Sequence, residues 1–149
     1  SSDVCSSDLL GADARVVVAE LVPEIVEWNR GVLAPLAGRP LDDPRVEVHV
    51  GDVAALIAAA RERFDAILLD VDNGPDGLTQ EANSWLYGAA GLAAARRALT
   101  PGGVLAVWSS GPSRSFTERL RKAGFSVEEH TARANGARGA KQIIWVAAA

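Results

Sequence analysis

Short apolar runs alternate along the chain with longer segments of helical periodicity, which is the pattern of an α/β domain. Each apolar run is short enough for a strand. Each longer segment has apolar residues three or four positions apart, as on one face of a helix. The pattern predicts strands at 15–20, 46–50, 64–70, 104–109, 125–131 and 142–146, and helices at 23–36, 53–63, 81–99 and 113–123.

Proline and glycine mark several ends of these elements. Pro23 suits the first turn of the first helix, and Gly124 suits a left-handed cap after the last one. The segment 101–103, Pro-Gly-Gly, is expected to turn the chain into the following strand. The first helix is expected to bury one apolar face, formed by Ile25, Val26, Val32 and Leu33.

The last two strands follow each other without a helix between them, so they are expected to form a hairpin. Parallel strands need a longer crossover, usually a helix, whereas antiparallel strands can be joined directly by a loop. The predicted architecture is therefore a three-layer, Rossmann-like α/β fold. Its sheet is expected to be mostly parallel, with an antiparallel strand at the C-terminal edge.

Composition narrows the possible partners. The 149 residues, 48% of them apolar, are enough for one domain with its own core. No apolar run approaches the roughly 20 residues of a membrane helix, so no membrane partner is expected. The net charge of -4, without a basic stripe, predicts no nucleic-acid partner. The two histidines lack metal-ligand spacing, so no metal is expected, and a small molecule is the default partner.

The first nine residues, SSDVCSSDL, differ in character from the rest of the chain. They have no periodicity, and they resemble the translation of a sequencing adapter. We interpret 1–9 as a non-native leader and 10–149 as the transferase-type domain, with a natural Ser/Asp-rich leader as the alternative. Under this interpretation Cys5, the single cysteine, carries no information about the redox compartment.

Acidic residues follow three successive predicted strands. Glu20, Asp52 and Asp70 each lie at, or just past, a strand's carboxyl end, and Asp70 opens the stretch DVDNGP directly after an apolar run. Ligands of open α/β sheets bind at this end of the strands. One carboxylate can accept both ribose hydroxyls, and another can accept from an adenine amino group. The three acids are therefore candidates for a nucleoside site.

Four blocks carry a family resemblance: VVVAEL, DDPRVEVHVGDV, FDAILLD and LTPGGVLAV. In order and spacing they resemble the spermidine synthases, or polyamine aminopropyltransferases, which have the class I S-adenosylmethionine-dependent methyltransferase fold. The resemblance covers residues 10–110. It implies transfer of an aminopropyl group from decarboxylated S-adenosylmethionine to a small-molecule amine, without a metal. It also implies a cytoplasmic protein and allows for a homodimer.

Roles for individual residues follow from the resemblance. Glu20 resembles the ribose-binding acid, and Asp52 the adenine-binding acid, with a backbone contact from Val53. Asp70 matches the catalytic carboxylate. The family's loop carries two aspartates three positions apart, whereas Asp70 and Asp72 are two apart and Asn73 stands in the second place. The residues expected to position the amine or line its site are Asp72, Asn73, and either Tyr87 or Trp85.

Other interpretations of these residues remain open. Glu20 can be a solvated acid at a strand end, Asp52 an N-cap and Asp70 an Asx-turn residue. Trp28, Trp108 and Trp145 are expected in the core, and His49 and His130 as ordinary strand residues. The alternative functions are methyl transfer from S-adenosylmethionine itself, and a non-catalytic nucleoside-binding or interaction domain on the same scaffold.

The resemblance also identifies family features that the sequence lacks. These are the first strand with its Gly-rich loop and the amino-terminal β-domain. We therefore expect an incomplete cofactor site, an inactive fragment, and a gap or irregular pairing between the strands at 16–19 and 66–70.

Overall fold

A computed structural model of the protein describes residues 10–70, 75, 81–133 and 141–149. The chain divides after Ala55 into two compact units, and each unit contains its own hydrogen-bonded sheet. The strands in the described residues are β1 (Val16–Glu20), β2 (Val46–Val50), β3 (Phe64–Leu69), β4 (Leu99–Ser109), β5 (Ser126–Arg133) and β6 (Lys141–Ala148). The α-helices are α1 (Pro23–Arg30), α2 (Val53–Ala59), α3 (Glu81–Tyr87), α4 (Ala89–Ala98) and α5 (Arg114–Lys122).

The first unit contains the parallel pair β1 and β2, whose register runs from Val16 opposite Val46 to Glu20 opposite Val50. Arg45, just before β2, holds the preceding chain in place. Its guanidinium forms a 2.7 Å ion pair with Asp43 and donates to the carbonyl oxygens of residues 10 and 11 at 3.0 and 3.2 Å. The DDPR motif therefore ties the segment before β1 to the start of β2. No described residue before Val16 is in a strand.

The first helix is shorter than the apolar pattern predicts. It ends at Arg30, because Gly31 leaves helical geometry with φ -102° and ψ -108°, and a 3₁₀ turn follows at Ala34–Ala37. Glycine is a poor helix former, so a helix readily ends there. Residues beyond the end cannot extend its apolar face. Of the four residues expected in that face, Val26 is buried, whereas Ile25, Val32 and Leu33 are exposed.

The second unit has a four-stranded sheet in the order β3, β4, β6, β5. β3 and β4 are parallel, and β6 is antiparallel to both of its neighbours. The mixed α/β architecture and the predominantly parallel strand direction agree with the prediction. The antiparallel strand is β6, which lies one position inside the edge strand β5. β1 and β3 fall in different sheets, in agreement with the predicted interruption between them.

One face of the second sheet forms the core. Side chains alternate across a strand, and from residue 103 to 109 every second residue of β4 is buried, including Leu105 and Val107 at 0% exposure. Phe116 of α5 packs edge-on against Trp145 of β6, with ring centroids 5.0 Å apart, and Tyr87 packs edge-on against Phe116 at 5.7 Å. These three rings anchor the helical layer on the covered face of the sheet.

The buried indole of Trp145 has a hydrogen-bond partner. Its Nε1 donates to the hydroxyl of Thr117 at 2.9 Å. The Thr117 hydroxyl in turn lies 2.6 Å from a carboxylate oxygen of Glu129, to which it donates, and 3.2 Å from the carbonyl oxygen of Ser113. Since a buried polar group without a partner is costly, this chain of bonds lets a tryptophan occupy the core.

Two further helices end earlier than the sequence predicts. The helix predicted at 53–63 ends at Ala59, and Glu62 adopts a left-handed conformation with φ 43°. Glu62 and Arg63 then donate backbone bonds to the last turn of α4, at 2.8 Å each. The helix predicted at 81–99 is interrupted at Gly88, which is extended with φ -82° and ψ 172°. The apolar spacing of the sequence continues across the break at Gly88, so periodicity alone does not show it.

The Pro-Gly-Gly segment lies inside β4 and does not precede it. Gly102 has φ 78°, and the register between β3 and β4 shifts between Phe64 and Ala66. A Cβ on Gly103 would lie 2.9 Å from the carbonyl oxygen of Thr100, which is closer than real Cβ atoms approach. The two glycines therefore allow a bulge where a turn was predicted.

The last helix lies within one residue of its predicted bounds at each end. The Ser113 side chain caps it by accepting from the Phe116 backbone N–H at 3.2 Å. Gly124 follows it with φ 91°, the left-handed conformation expected of a C-terminal glycine. Across the described helices, none has the length and apolar character required of a membrane span.

Replacing Thr117 with valine tests the buried network. We expect Thr117→Val to lower the free energy of unfolding by about 1–3 kcal/mol, because the Trp145 indole N–H loses its partner while the side-chain volume is kept. Urea denaturation measures this change. Thr117→Ser keeps the hydroxyl and is the matched control, expected to lose less. A Thr117→Val variant as stable as the wild type would contradict a stabilising role for this hydrogen bond.

Candidate functional site

The carboxyl ends of β1 and β2 bring two of the predicted site residues together. Glu20 is paired with Val50, and the backbone N–H of Gly51 donates to the Glu20 carbonyl at 2.9 Å. Asp52 is the next residue. We call Glu20, Gly51 and Asp52 the first rim. Two carboxylates thus stand on adjacent parallel strand ends, the position at which α/β sheets bind ligands.

Glu20 is half-buried and its carboxylate is oriented by the chain that follows it. The oxygen Oε1 accepts from the backbone N–H of Val22 at 2.9 Å. Each carboxylate oxygen has two lone pairs, so this bond leaves acceptor capacity for further donors. The side chain is held in place at the rim and is still able to accept from a ligand's hydroxyl groups.

Asp52 is exposed and caps α2. Its Oδ1 accepts from the Ala54 backbone N–H at 2.8 Å, which is the N-cap bond to the second residue of the helix. Val53, the first residue of α2, is half-buried. The capping interpretation of Asp52 is therefore confirmed. It uses one of the two carboxylate oxygens.

His49 contacts the first rim from β2. Its ring lies so close to Gly51 that a Cβ added there would be 3.0 Å from Nε2. The imidazole is half-buried and belongs to the strand, as predicted. In the part of the chain that the structure describes, no group of three His, Cys, Asp or Glu side chains is placed to hold a metal.

Asp70 lies at the carboxyl end of β3 in the second unit, where it is exposed. The β3–β4 ladder ends with Leu69 opposite Val107, and Asp70 and Trp108 are the next residues along the two strands. We call Asp70 and Trp108 the second rim. The predicted amine-positioning residues Asp72 and Asn73 lie outside the described residues.

Trp108 was expected in the core, but it is only half-buried. It alternates with Val107 and Ser109, both of which are buried, so it belongs to the opposite face of the sheet. The period-two alternation along VLAVWS, residues 104–109, places the tryptophan on the opposite face from Leu105 and Val107. The prediction missed it because both faces of a central strand can be apolar. The other misplaced tryptophan is Trp28, which is 56% exposed, whereas Trp145 is in the core.

Of the two aromatic residues expected to line the amine site, one lies in the core and the other lies at the surface. Tyr87 is 4% exposed and its ring packs edge-on against Phe116, so it does not present an open wall. This corrects its expected location, and the reason is that the helix turns its apolar side toward the aromatic cluster. Trp85, two residues earlier, is 36% exposed.

Residues 12–118 match the family model of the spermine/spermidine synthase domain. The match covers more than half of the chain and includes both rims. The chain belongs to the spermine/spermidine synthase family. This agrees with the resemblance carried by the four sequence blocks.

Curated relatives of the family are similar to the chain over most of its length. A polyamine aminopropyltransferase of Nitrosomonas europaea is 37% identical over 98 residues, which are 66% of this chain and 29% of the relative. One from Mycobacterium tuberculosis is 31% identical over 122 residues, which are 76% of this chain and 23% of the relative. The chain therefore spans less than a third of the length of these relatives.

Solved structures support the fold. The spermidine synthase of Thermotoga maritima superposes with a TM-score of 0.70 at 16% identity, covering 90% of this chain and 44% of that one. The 1,6-didemethyltoxoflavin-N1-methyltransferase of Burkholderia thailandensis gives a TM-score of 0.57 at 24% identity, covering 90% and 60%. At these identities the likeness shows a fold common to spermidine synthases and a methyltransferase.

Two substitutions of Asp52 separate the contribution of the capping bond from that of the negative charge. We expect Asp52→Ala to lower the free energy of unfolding by about 1 kcal/mol, because the Ala54 N–H loses its acceptor. Asp52→Asn keeps an acceptor oxygen and is expected to retain most of the stability. Thermal or urea unfolding of both variants gives the comparison. A stable Asp52→Ala variant would contradict the capping role.

Proposed function

We propose that this chain is part of an aminopropyltransferase, which moves an aminopropyl group from decarboxylated S-adenosylmethionine to a small-molecule amine. The observation that carries the proposal is the family match over 12–118, which contains Glu20, Asp52 and Asp70. Each of these acids lies at, or just past, the carboxyl end of a strand that has a parallel neighbour. Curated relatives named polyamine aminopropyltransferase support the reaction type. A homodimer and a cytoplasmic location stay predictions.

The first rim is proposed to bind the nucleoside. Glu20 would accept from the two ribose hydroxyls, and its bond from Val22 N–H fixes the carboxylate for this purpose. Asp52 would accept from the adenine amino group through the oxygen that the N-cap does not use. The Val53 backbone supplies a further contact. Among the structural neighbours, a spermidine synthase was solved with the transition-state analogue AdoDATO and the methyltransferase with S-adenosylhomocysteine, which supports a ligand of this class.

The second rim is proposed to receive the amine. An alkylamine has a pKa of about 10 and is protonated near neutral pH, so it must lose a proton before its nitrogen can attack. Asp70 would hold the ammonium, orient it and accept that proton. The nitrogen then forms a bond to the carbon beside the sulfonium, and the carbon–sulfur bond breaks to release a neutral thioether nucleoside. Asp72 and Asn73 are proposed as further contacts to the amine.

Methyl transfer is the second candidate function. The observation that favours it is the likeness of the fold to the Burkholderia thailandensis methyltransferase. The two reactions differ in the cofactor, because only intact S-adenosylmethionine carries an α-carboxylate. A non-catalytic nucleoside-binding domain is the third candidate, and it predicts ligand binding without turnover.

Calorimetric titration of the natural full-length protein with the two cofactors distinguishes the first two candidates. We expect decarboxylated S-adenosylmethionine to bind at least about tenfold more tightly than S-adenosylmethionine. Glu20→Gln is expected to weaken binding by about tenfold, since a charge-assisted bond to the ribose is lost. Glu24→Gln, on the first turn of α1, is the control. Tighter binding of intact S-adenosylmethionine would contradict aminopropyl transfer and favour the methyltransferase function.

Asp70→Asn tests catalysis at the second rim. We expect turnover to fall by about 10²–10⁴-fold while the nucleoside still binds, because the amide cannot accept the proton. Asp65→Asn is the matched control on the same strand, since the amide keeps the oxygen that accepts from Thr100 Oγ1 at 2.9 Å. Undiminished turnover in Asp70→Asn would remove Asp70 from the mechanism, and binding without turnover in the wild type would favour the non-catalytic domain.

A further inference from the structure

Basic side chains gather at the amino ends of strands in the second unit, at the opposite end of β3 and β4 from the second rim. β3, β4 and β5 run in the same direction, since β4 and β5 are both antiparallel to β6. A short turn precedes β3, and the last turns of α4 and α5 precede β4 and β5. Six exposed cations lie in these three segments, and we call them the basic end: Arg61, Arg63, Arg96, Arg97, Arg121 and Lys122.

Contacts between the three segments hold the basic end together. The backbone N–H groups of residues 62 and 63 donate to the carbonyl oxygens of residues 97 and 98 at 2.8 Å each, which joins the turn before β3 to the end of α4. A Cβ on Gly124, just after α5, would lie 3.4 Å from the guanidinium carbon of Arg96. The Arg96 side chain therefore reaches from the end of α4 to the end of α5. Because the cations come from segments far apart in the sequence, no single helix carries a basic stripe.

Helix capping does not account for these side chains. Basic residues in the last turn of a helix often donate to its free carbonyl oxygens. In α4 the carbonyls of residues 97 and 98 already accept from the backbone that precedes β3. In α5 the carbonyls of residues 119–121 accept from the backbone N–H groups of residues 123–125, at 2.9, 3.2 and 3.0 Å in carbonyl order. The cations at both helix ends are therefore not needed as donors to these carbonyls.

Within the described residues, the cations of the basic end form no ion pairs. None of the ion pairs found there includes one of the six. Two acids, Glu62 and Asp65, lie beside them, and the Asp65 carboxylate accepts from Thr100 Oγ1 at 2.9 Å. Six cations and two acids leave four positive charges in excess, although the net charge of the whole chain is -4. Positive charge is thus concentrated at one end of the second sheet.

We propose that the basic end binds the phosphate backbone of double-stranded nucleic acid, without reading the base sequence. Five of its six cations are arginines, whose planar guanidinium matches phosphate oxygens in bidentate geometry. Neighbouring helices lie about 8–10 Å apart, so the cations extend over roughly 10–20 Å, along which a duplex presents one phosphate charge per about 1.7 Å. The protein surface and the nucleic-acid backbone therefore match in charge and in length.

The contact is expected to involve paired bases. Single-stranded nucleic acid binds through aromatic side chains on which its bases stack. The Phe64 ring, next to the basic end, already faces the Arg63 guanidinium, which lies 5.3 Å from the ring centroid. It is therefore not an open platform for an unpaired base. The inference goes beyond aminopropyl transfer, because no residue of either rim belongs to the basic end.

Fluorescence anisotropy with the natural full-length protein tests the proposal. The probe is a labelled DNA duplex of about 20 base pairs, and we expect a dissociation constant on the order of 10⁻⁵ M near physiological salt. With about four phosphates contacted, the logarithm of the association constant should fall against the logarithm of the salt concentration with a slope of about -3.6. A second duplex of unrelated sequence is expected to bind equally. No binding at about 10⁻⁴ M protein, or an affinity independent of salt, would contradict the proposal.

Substitutions at the two ends of α5 locate the contact. Arg121→Gln is expected to weaken duplex binding about threefold and to reduce the salt slope by about one, and Arg96→Gln/Arg121→Gln to weaken binding about tenfold. Arg114→Gln removes the same charge from the first turn of α5 and is the matched control, expected to bind like the wild type. Equal losses in Arg114→Gln and Arg121→Gln would mean that binding follows net charge alone, and the proposal would fail.

Competition distinguishes nucleic acid from an acidic protein partner. An extended polyglutamate chain carries one charge per about 3.4 Å, half the linear charge density of a duplex. We expect polyglutamate to displace the labelled duplex at least about tenfold less well than unlabelled duplex does. Equal displacement would assign the basic end to acidic protein segments and overturn the proposal. Turnover of Arg96→Gln/Arg121→Gln is expected to match that of the wild type, so aminopropyl transfer and duplex binding stand or fall separately.

Discussion

The pleat of β4 is the constraint on which the second unit depends. Successive side chains of a strand point to opposite faces, so Leu105 and Val107 can enter the core only if Trp108 does not. The buried side is then completed by the edge-on packing of Phe116 and Trp145. The other side retains an aromatic residue at the carboxyl end, where the chemistry of α/β folds takes place. Core and candidate site are thus consequences of the same alternation.

The bounds of β1, β2 and β3 could be predicted from the sequence more closely than the ends of α1 to α4. β2 has the predicted bounds, and β1 and β3 differ from prediction by one residue each, because their apolar runs end abruptly at charged residues or glycine. Helix ends depend on single residues whose effect the periodicity does not show. Gly31 ends α1 and Gly88 separates α3 from α4, although the apolar spacing continues across both.

The residues of the first rim could be predicted from the sequence, whereas the aromatic residue of the second rim could not. Acids after apolar strands are conspicuous in a sequence, and the structure places Glu20 and Asp52 on adjacent strand ends. Aromatic residues are ambiguous, because their size favours burial and their polar or π surfaces favour ligands. The sequence-based assignment placed Trp108 in the core and Tyr87 at the site, and the burial of the two residues is the reverse. What distinguishes them is each residue's position relative to its buried neighbours, with period two in β4 and period 3.6 in α3.

At Asp52 the structural role as an N-cap is compatible with the proposed binding role. The N-cap bond to Ala54 holds Oδ1 at 2.8 Å from the backbone and so fixes the direction of the whole carboxylate. A ligand that bonds the second oxygen meets a side chain whose rotational freedom has already been lost on folding, so less entropy is lost on binding. The same reasoning applies to Glu20, which Val22 N–H restrains. Capping therefore does not argue against the nucleoside binding proposed at the first rim, because it restrains a carboxylate that keeps a second oxygen free of the cap.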